Sequence, residues 1–526
     1  MAIPDRLAGL PHADSELDGS PPDQSTSLMQ RARRGALWTG ASALVLRLGN
    51  VLMMVIVARI ISPAELGVYA LAIAVYGFVV CLAAWGVCSA IGRSDLDADE
   101  LGSTVTTFAL CSSLLTAGMM VAFAGWLASA LGVPEAATPI RILAITVFFT
   151  GLFAVPTGQN QRAFRQDVVF RADMIAFVAM NAALLLLVQV IPGAEAFAWS
   201  RVVGHLIVGV VVTCSLDKRY RPGWRRRYIL PLLRFGVPAA LGSVLAELVR
   251  NIDYVIIGRE MTTADLGSYM LAFNVASWPT AVLGAVVAQI VLPAFSAVRR
   301  DGGDLRLTVA RSVRSVGLVA CPIAAFTCVF AYPLIETLYG RRWLEAAPVL
   351  AILAVFGVFF VLGMVFDNIM IAAGRTMVMF GVQALALIVL IPALMVGVRL
   401  GGLVGVGIGH TAVILLVTMP AYALALLRIT GAGIGVVLRA LSRPTLGAVL
   451  AAAVATAGTH GIDQPILTLA VAGVVGLAVY LAVVGSEFLQ LMPTRIAEMR
   501  LLVLATAWPE HLSARIRDLR TGSTRL

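Results

Sequence analysis

The fold is decided by residues 55–72, VIVARIISPAELGVYALA, which recur at residues 255–272 as VIIGREMTTADLGSYMLA. Nine of the eighteen positions are identical. Among the identical positions are the pairs Arg59/Arg259, Gly67/Gly267 and Tyr69/Tyr269. Unrelated apolar segments match one another by composition, but they do not match at arginine, glycine and tyrosine together. The recurrence therefore indicates an internal duplication.

Two weaker matches extend the repeat along the chain. Arg165 and Phe170 correspond to Arg375 and Phe380, and Gly204-His205 corresponds to Gly409-His410. We therefore predict a first unit over 31–222 and a second over 223–430. Two further helices at 431–490 and two cytoplasmic tails, 1–30 (disordered) and 491–526, complete the predicted organisation.

The composition indicates that lipid is the main solvent of the chain. Of 526 residues, 60% are hydrophobic and 13% are charged, with a mean hydropathy of +0.92, whereas soluble domains carry about 25% charge. A helix needs roughly 20 apolar residues to cross a bilayer. About 14 such runs are predicted, near 36–60, 66–91, 103–131, 138–158, 172–192, 196–216, 232–258, 266–293, 309–332, 347–372, 377–397, 402–425, 436–458 and 465–488. The thirteenth is the weakest, because Arg439, Arg443 and Pro444 shorten it.

The basic residues predict the orientation of these helices. They cluster at 31–34, 218–227, 299–306 and 495–520, which all fall on one side of the membrane if the number of spans is right. That side is expected to be cytoplasmic, with both termini inside, and Arg341-Arg342 is an exception on the outer side. The net charge of +10 is thus a topology signal, and no nucleic-acid partner is expected.

The predicted fold class is an all-α integral membrane protein with two parallel six-helix lobes. Because each unit crosses the membrane an even number of times, both units enter from the cytoplasm. They are then related by a pseudo-two-fold axis along the membrane normal. Such a bundle can rock about its own interface, which is typical of transporters and not of enzymes.

Three segments resemble a known family of transporters. They are residues 58–69 at the first hairpin, residues 161–165 (QRAFR), and residues 220–222 (YRP) with 234–238 (RFGVP). They resemble the polysaccharide-transporter branch of the multidrug/oligosaccharidyl-lipid/polysaccharide flippase superfamily, over about residues 30–430. The resemblance implies a multi-pass inner-membrane flippase that moves an undecaprenyl-diphosphate-linked oligosaccharide outward, for O-antigen, capsule or exopolysaccharide export.

The resemblance also implies partners, and it leaves other functions open. The expected partners are the lipid-linked oligosaccharide and membrane lipids, with a polysaccharide polymerase and glycosyltransferases as further candidates. A cation-coupled multidrug exporter of the same fold and a peptidoglycan-precursor flippase are the nearest alternatives. A membrane polysaccharide polymerase is the alternative from the enzymes, but the predicted outer loops are too short for its usual catalytic loop.

Charged side chains inside the spans are the candidate cavity residues. A charge at mid-bilayer costs roughly 2.5–3.5 kcal/mol, so it usually faces a cavity. The predicted substrate-binding residues are Arg47, Asn50, Glu247, Arg250 and Asp253. A shift of 200 residues aligns Arg47 with Glu247, and the two arginines suit a diphosphate because a guanidinium donates paired hydrogen bonds to phosphate. The alternative is structural, with Arg47 paired to Glu247 between the lobes and Arg250 paired to Asp253 within one helix.

Other polar residues suggest coupling and entry sites. His205, His410 and Asp367 are candidate coupling residues, although each histidine also fits a helix-packing role beside its glycine. Arg162 and Arg165 are candidates for the cytoplasmic mouth, with ordinary topology signalling as the alternative.

No cofactor or metal is expected. The acidic run at 95–100 lacks the glycine and glutamate spacing of a calcium loop. The single lysine, Lys218, has no phosphate-binding loop before it, which excludes ATP bound by that route. The membrane potential, worth about 2.3 kcal/mol per charge at 100 mV, is a candidate driving force, and proton or sodium exchange remains an alternative.

Overall fold

The computed structural model describes residues 46, 49–84, 98–163, 165–216, 222–223 and 225–491. Every regular element within these residues is helical. The helices are α1 Gly49–Ala58, α2 Pro63–Ala84, α3 Ala98–Ala130, α4 Ala137–Leu152, α5 Ala154–Arg162, α6 Gln166–Leu187, α7 Gly193–Cys214, α8 Arg226–Glu260, α9 Thr263–Arg300, α10 Leu305–Val329, α11 Ala331–Tyr339, α12 Ala346–Ala372, α13 Thr376–Val413, α14 Met419–Thr430, α15 Ile434–Gly458 and α16 Pro465–Leu491. Short helical turns at Pro134–Ala136, Arg341–Trp343 and Ile414–Thr418 complete the described elements.

The helices have the length and composition of membrane spans. Ten helical stretches within the described residues are long and apolar enough to cross a bilayer. One of them, Thr376–Thr430, is 55 residues long and contains the predicted spans 377–397 and 402–425. Residues 36–45, 47 and 48 of the predicted first span, and the whole of the predicted tail at 1–30, lie outside the described residues.

The two predicted spans within Thr376–Thr430 are separated by a break in the helix. Gly401 and Gly402 leave the helical conformation, and Gly402 has a φ of 56°, which favours glycine. Beyond the break, the backbone of Gly405 packs directly against Gly397. The small residues at this point thus allow the two helical arms to approach closely.

The repeat encodes equivalent helix starts. Thr262 and Asp265 form a capping box at the start of α9, in which each side chain accepts a hydrogen bond from the other residue's backbone N–H. Ser62 and Glu65 make the same pair of contacts at the start of α2, at 3.3 and 2.9 Å. Glu65 also accepts a hydrogen bond from Gly193 N at 2.8 Å, so one carboxylate caps both α2 and α7.

The two copies of the motif contact each other. A Cβ on Gly67 would overlap the carbonyl oxygen of Thr263, and a Cβ on Gly267 would overlap the carbonyl oxygen of Pro63. Thr263 and Pro63 are themselves equivalent under the 200-residue shift, so the contact is reciprocal. Helices α2 and α9 therefore cross at a separation that only glycine permits at these two positions.

A second set of contacts joins the first hairpin to the end of α11 and to the turn that follows it. Arg59 donates hydrogen bonds to the carbonyl oxygens of Thr337 and Leu338, at 2.7 and 3.3 Å. Trp343 is fully buried, and its Nε1 donates to the carbonyl oxygen of Ala58 at 2.8 Å. These hydrogen bonds thus join the two halves of the chain at the end where α1 meets α2.

Candidate functional site

Helices α8, α9, α12, α13 and α14 surround a cavity of about 780 Å³. Most of its wall is apolar. The charged, amide and imidazole side chains that line it are Glu247, Arg250, Asn251, Asp367, Gln383 and His410. All its lining residues among those that the structure describes lie between Ala246 and Tyr422, in the second half of the repeat.

Glu247 organises one side of this cavity. Its carboxylate accepts a hydrogen bond from Asn251 Nδ2 at 2.7 Å and pairs with the guanidinium of Arg250. The Glu247 side chain is 18% exposed and that of Arg250 is 63% exposed, so the arginine keeps free N–H groups for a ligand. Across the helix interface, a Cβ on Gly77 of α2 would collide with the Glu247 carboxylate. Glu247 therefore packs against α2 on one side and lines the cavity on the other.

Asp367 forms a second polar group on the cavity wall. One carboxylate oxygen accepts from the Tyr422 hydroxyl and the other from Gln383 Nε2 at 3.2 Å. These contacts connect α12, α13 and α14 at one point. The neighbouring Asn368 donates to the Met364 carbonyl of its own helix at 2.7 Å.

Asp253 lies behind the cavity wall. It is 1% exposed and accepts hydrogen bonds from Tyr254 N at 2.9 Å and from the Tyr269 hydroxyl at 2.8 Å. Arg250 pairs with Glu247, not with Asp253. The Tyr269 hydroxyl is also 3.4 Å from His410 Nδ1, so a chain of polar groups runs from Asp253 to the cavity-lining His410.

The first half has a polar cluster around His205, the residue that corresponds to His410. This cluster contains a positive charge, Arg201, where the cluster around His410 contains the carboxylate of Asp253. His205 Nε2 lies 3.3 Å from the Tyr76 hydroxyl, and its Nδ1 lies 3.1 Å from the Arg201 carbonyl. The Arg201 guanidinium lies 4.9 Å from the centre of the Tyr76 ring, a cation–π contact. Arg201 is not among the predicted site residues, although a charge four residues before His205 in a predicted span is a usable signal.

The remaining predicted site residues take up different positions. Asn50 is exposed on α1. Arg165 donates from Nη1 to the Ser215 carbonyl at 2.7 Å, at the end of α7. Arg47 and the side chain of Arg162 lie outside the described residues. Within the described residues, no group of three or more His, Cys, Asp or Glu side chains could hold a metal ion.

A family model described as "Polysaccharide biosynthesis protein" matches residues 56–348. The chain belongs to this family. Its members are membrane transport proteins of polysaccharide biosynthesis, which confirms the resemblance seen in the sequence. The match begins at the repeat motif and covers α8 and α9, where Glu247, Arg250 and Asp253 lie.

Relatives within and around the family agree with this assignment. The lipopolysaccharide biosynthesis protein WzxC of Escherichia coli (strain K12) is 26% identical over 411 residues, which is 75% of this chain and 81% of that protein. The succinoglycan biosynthesis transport protein ExoT of Rhizobium meliloti (strain 1021) is 28% identical, over 57% of this chain and 60% of that protein. The teichuronic acid biosynthesis protein TuaB of Bacillus subtilis (strain 168) is 20% identical, over 66% of this chain and 73% of that protein.

Solved structures show that the fold is shared more widely. The lipid II flippase MurJ in an inward closed conformation aligns with a TM-score of 0.73 and 15% identity, over 86% of this chain and 99% of that chain. An inward-facing multidrug transporter of the MATE family aligns with a TM-score of 0.58 and 18% identity, over 73% of this chain and 95% of that chain. At these identities, the likeness concerns the fold alone.

Proposed function

We propose that this family member is an inner-membrane flippase that moves an undecaprenyl-diphosphate-linked oligosaccharide from the cytoplasmic to the outer leaflet by alternating access. The observation that carries the proposal is the cavity of about 780 Å³, with charged and amide side chains inside an apolar helical bundle. Ionisable groups within a membrane are costly, and they usually mark a transport path. A cargo with a charged diphosphate and many sugar hydroxyls needs such groups.

We assign complementary roles to the cavity side chains. Arg250, which is 63% exposed, binds a phosphate oxygen of the cargo, and Arg47 is proposed as a second phosphate-binding residue. Glu247 and Asn251 accept and donate hydrogen bonds to sugar hydroxyls, and Asn50, which is exposed on α1, is proposed as a further hydrogen-bonding residue. The alternative is that the Glu247–Arg250 pair only stabilises α8. The two roles can be told apart by the flipping rate of a variant in which Arg250 is replaced.

We assign the coupling role to buried groups next to the cavity. Asp253 reaches the cavity through Tyr269 and His410, while Asp367 is held by Tyr422 and Gln383. Either group can change charge on binding a proton or a cation. Export of an anionic cargo is also favoured by a membrane potential that is negative inside, by about 2.3 kcal/mol per charge at 100 mV.

We further propose that residues 31–222 and 223–430 are parallel lobes that rock about the contact between α2 and α9. The reciprocal approach of Gly67 and Gly267 supports a pseudo-two-fold axis at that point. The loop charges favour the hairpin end of this contact as the outer face, with both termini inside. The cavity begins about 15 Å along α9 at Phe273, below the contacts that close that end. This arrangement suits a cargo that enters from the cytoplasm.

The test is a flipping assay with purified protein in vesicles. A fluorescent lipid-linked oligosaccharide is placed in both leaflets, and the fraction exposed to a membrane-impermeant quencher is followed in time. We expect a flipping rate that depends on the protein and falls at least tenfold in Arg250→Gln. Arg171→Gln is the matched control, because Arg171 pairs with Asp167 on α6, away from the cavity.

Other outcomes of the assay identify the alternatives. Transport of a cationic dye without any flipping of the lipid would support the multidrug exporter, for which Glu247 and Asp367 are suitable cation-binding groups. Elongation of the oligosaccharide would support a polymerase. Either result would overturn the proposed function. Equal flipping by wild type and Arg250→Gln would remove Arg250 from the site and leave the function standing.

A further inference from the structure

A second binding feature lies on the far side of α10 from the cavity. Helices α10, α15 and α16 enclose an apolar groove of about 460 Å³, which we call the C-terminal groove. Tyr480 forms part of its floor and is held there by a hydrogen bond from its hydroxyl to the Leu318 carbonyl, at 2.8 Å. Ile323 and Leu477 on the rim are 36% and 59% exposed. The groove is therefore preformed and opens sideways toward lipid.

Two arginines converge beyond one end of this groove. Arg443 of α15 contacts one carboxylate oxygen of Glu487 at 3.1 Å, and Arg314 of α10 approaches the other at 3.8 Å. The Glu487 side chain is 4% exposed, whereas those of Arg314 and Arg443 are 41% and 75% exposed. Each guanidinium has five N–H donors, so most of them remain available. Two arginines on one carboxylate also leave one positive charge uncompensated.

The arginine pair and the groove are adjacent. Leu318, the first groove residue on α10, lies about 6 Å along the helix from Arg314. Gly317 packs against Leu441 of α15, which closes the space between the two features on the protein side. The loop charges assign this end of α10 and α15 to the cytoplasmic leaflet. A lipid whose phosphate lies on the arginines can therefore extend one chain into the groove.

The C-terminal groove does not lead into the cavity. The groove and the cavity have no lining residue in common among the described residues. Between them, α9, α10 and α12 enclose a separate pocket of about 20 Å³, in which a Cβ on Gly357 would lie 3.1 Å from Thr280 Cγ2. A single water needs about 10–15 Å³, so this pocket has no room for a lipid chain. A lipid in the groove is thus separate from any cargo in the cavity.

We propose that Arg314, Arg443 and the C-terminal groove bind an anionic phospholipid of the inner leaflet. The guanidinium groups hold its phosphate through charge-assisted hydrogen bonds, and one acyl chain fills the groove. Glu487 contacts both arginines and competes with the phosphate for their N–H donors. The bound lipid contacts α10, α15 and α16 together. It therefore stabilises the packing of α15 and α16, which lie outside the repeat, against the rest of the bundle.

The experiment is native mass spectrometry of the full-length protein, delipidated and then titrated with single lipids. The probes are phosphatidylglycerol, phosphatidylcholine with the same chains, and undecaprenyl phosphate. We expect phosphatidylglycerol to bind more tightly than phosphatidylcholine. Its affinity should fall about fivefold for each of Arg314→Gln and Arg443→Gln. Arg171→Gln, which breaks another exposed arginine–carboxylate pair on α6, is the control and should bind as wild type does.

Two further variants separate lipid binding from a purely structural ion pair. Glu487→Gln removes the competing carboxylate and should tighten phosphatidylglycerol binding, in the opposite direction to the arginine variants. Gly473→Leu fills open space in the groove and should weaken binding without changing any charge. Equal phosphatidylglycerol binding in wild type and both arginine variants would overturn the proposal. So would a fall in Glu487→Gln, or tighter binding of undecaprenyl phosphate than of phosphatidylglycerol. None of these outcomes depends on the flipping assay.

Discussion

The crossing of α2 and α9 should not tolerate a single added methyl group at Gly267. In Gly267→Ala, the new Cβ would overlap the Pro63 carbonyl oxygen and lie 2.9 Å from Gly67 N. Both neighbours are backbone atoms, so no side chain can turn away to make room. The helices must separate, and overpacking of this kind typically costs about 1–3 kcal/mol. Since about 1.4 kcal/mol is a factor of ten in an equilibrium, the closed arrangement should lose roughly five- to 150-fold in population.

This loss can be measured by cross-linking across the closed end. Cysteines replace Ile60 and Glu260, which are equivalent in the repeat and exposed just before α2 and α9. In a background without the native cysteines, a short bifunctional thiol reagent should link them well in the parent and poorly in Gly267→Ala. Gly118→Ala on α3 is the matched control, because a Cβ there meets nothing within 4 Å. Unchanged cross-linking and thermal stability in Gly267→Ala would refute the steric argument.

Three further predictions follow from individual contacts. Trp343→Phe removes the donor to the Ala58 carbonyl at 2.8 Å, and leaving that buried acceptor unpaired should lower the free energy of unfolding by about 1–3 kcal/mol. Glu65→Ala should lower the thermal midpoint more than Asp265→Ala, because Glu65 caps two helices while Asp265 caps one, at about 0.5–2 kcal/mol per cap. Asp367→Asn should slow flipping at least tenfold with little loss of fold, because an amide keeps an acceptor for the Tyr422 hydroxyl but cannot carry the charge.

Each of these three predictions has a control variant and a result that would contradict it. Tyr332→Phe controls for Trp343→Phe, because Tyr332 is 55% exposed, and equal stability of the two variants would contradict the role of the tryptophan donor. Equal losses in the two cap variants would show that the bond from Gly193 to Glu65 adds nothing. For Asp367→Asn, a flipping rate equal to that of the parent in vesicles would show that the carboxylate charge has no part in transport.

The sequence predicted the helical framework because its signals are local. Runs of apolar residues and the repeat motif at 55–72 and 255–272 are each contained in neighbouring positions. The resemblance to the flippase family was confirmed by the family match that begins at residue 56. The number of spans stays a prediction, since ten candidate spans fall within the described residues and one of them contains two predicted ones.

The sequence could not predict the contacts that shape the cavity, because they depend on packing between distant helices. Asp367 meets Tyr422, which is 55 positions away, and Trp343 meets Ala58, which is 285 positions away. Neither pairing follows from any spacing rule. The predicted residues Glu247, Arg250, Asp367 and His410 do line one cavity, but Asn251 and Gln383 were missed because an amide in an apolar run is a weak signal.

The reciprocal contact of Gly67 with Gly267 also has a consequence for the history of the chain. When equivalent positions of two copies meet each other, the arrangement is that of an isologous interface in a symmetric dimer. Before the gene duplicated, each glycine would have contacted the same glycine of a second subunit. Every substitution would then have changed both sides of the interface. In the fused chain each side can change alone, and the two halves now differ: Arg201 contacts the Tyr76 ring in one, whereas Asp253 is buried in the other. Gly67 and Gly267 occupy one of the nine identical positions of the repeat, and an added Cβ on either would overlap the backbone of the other half.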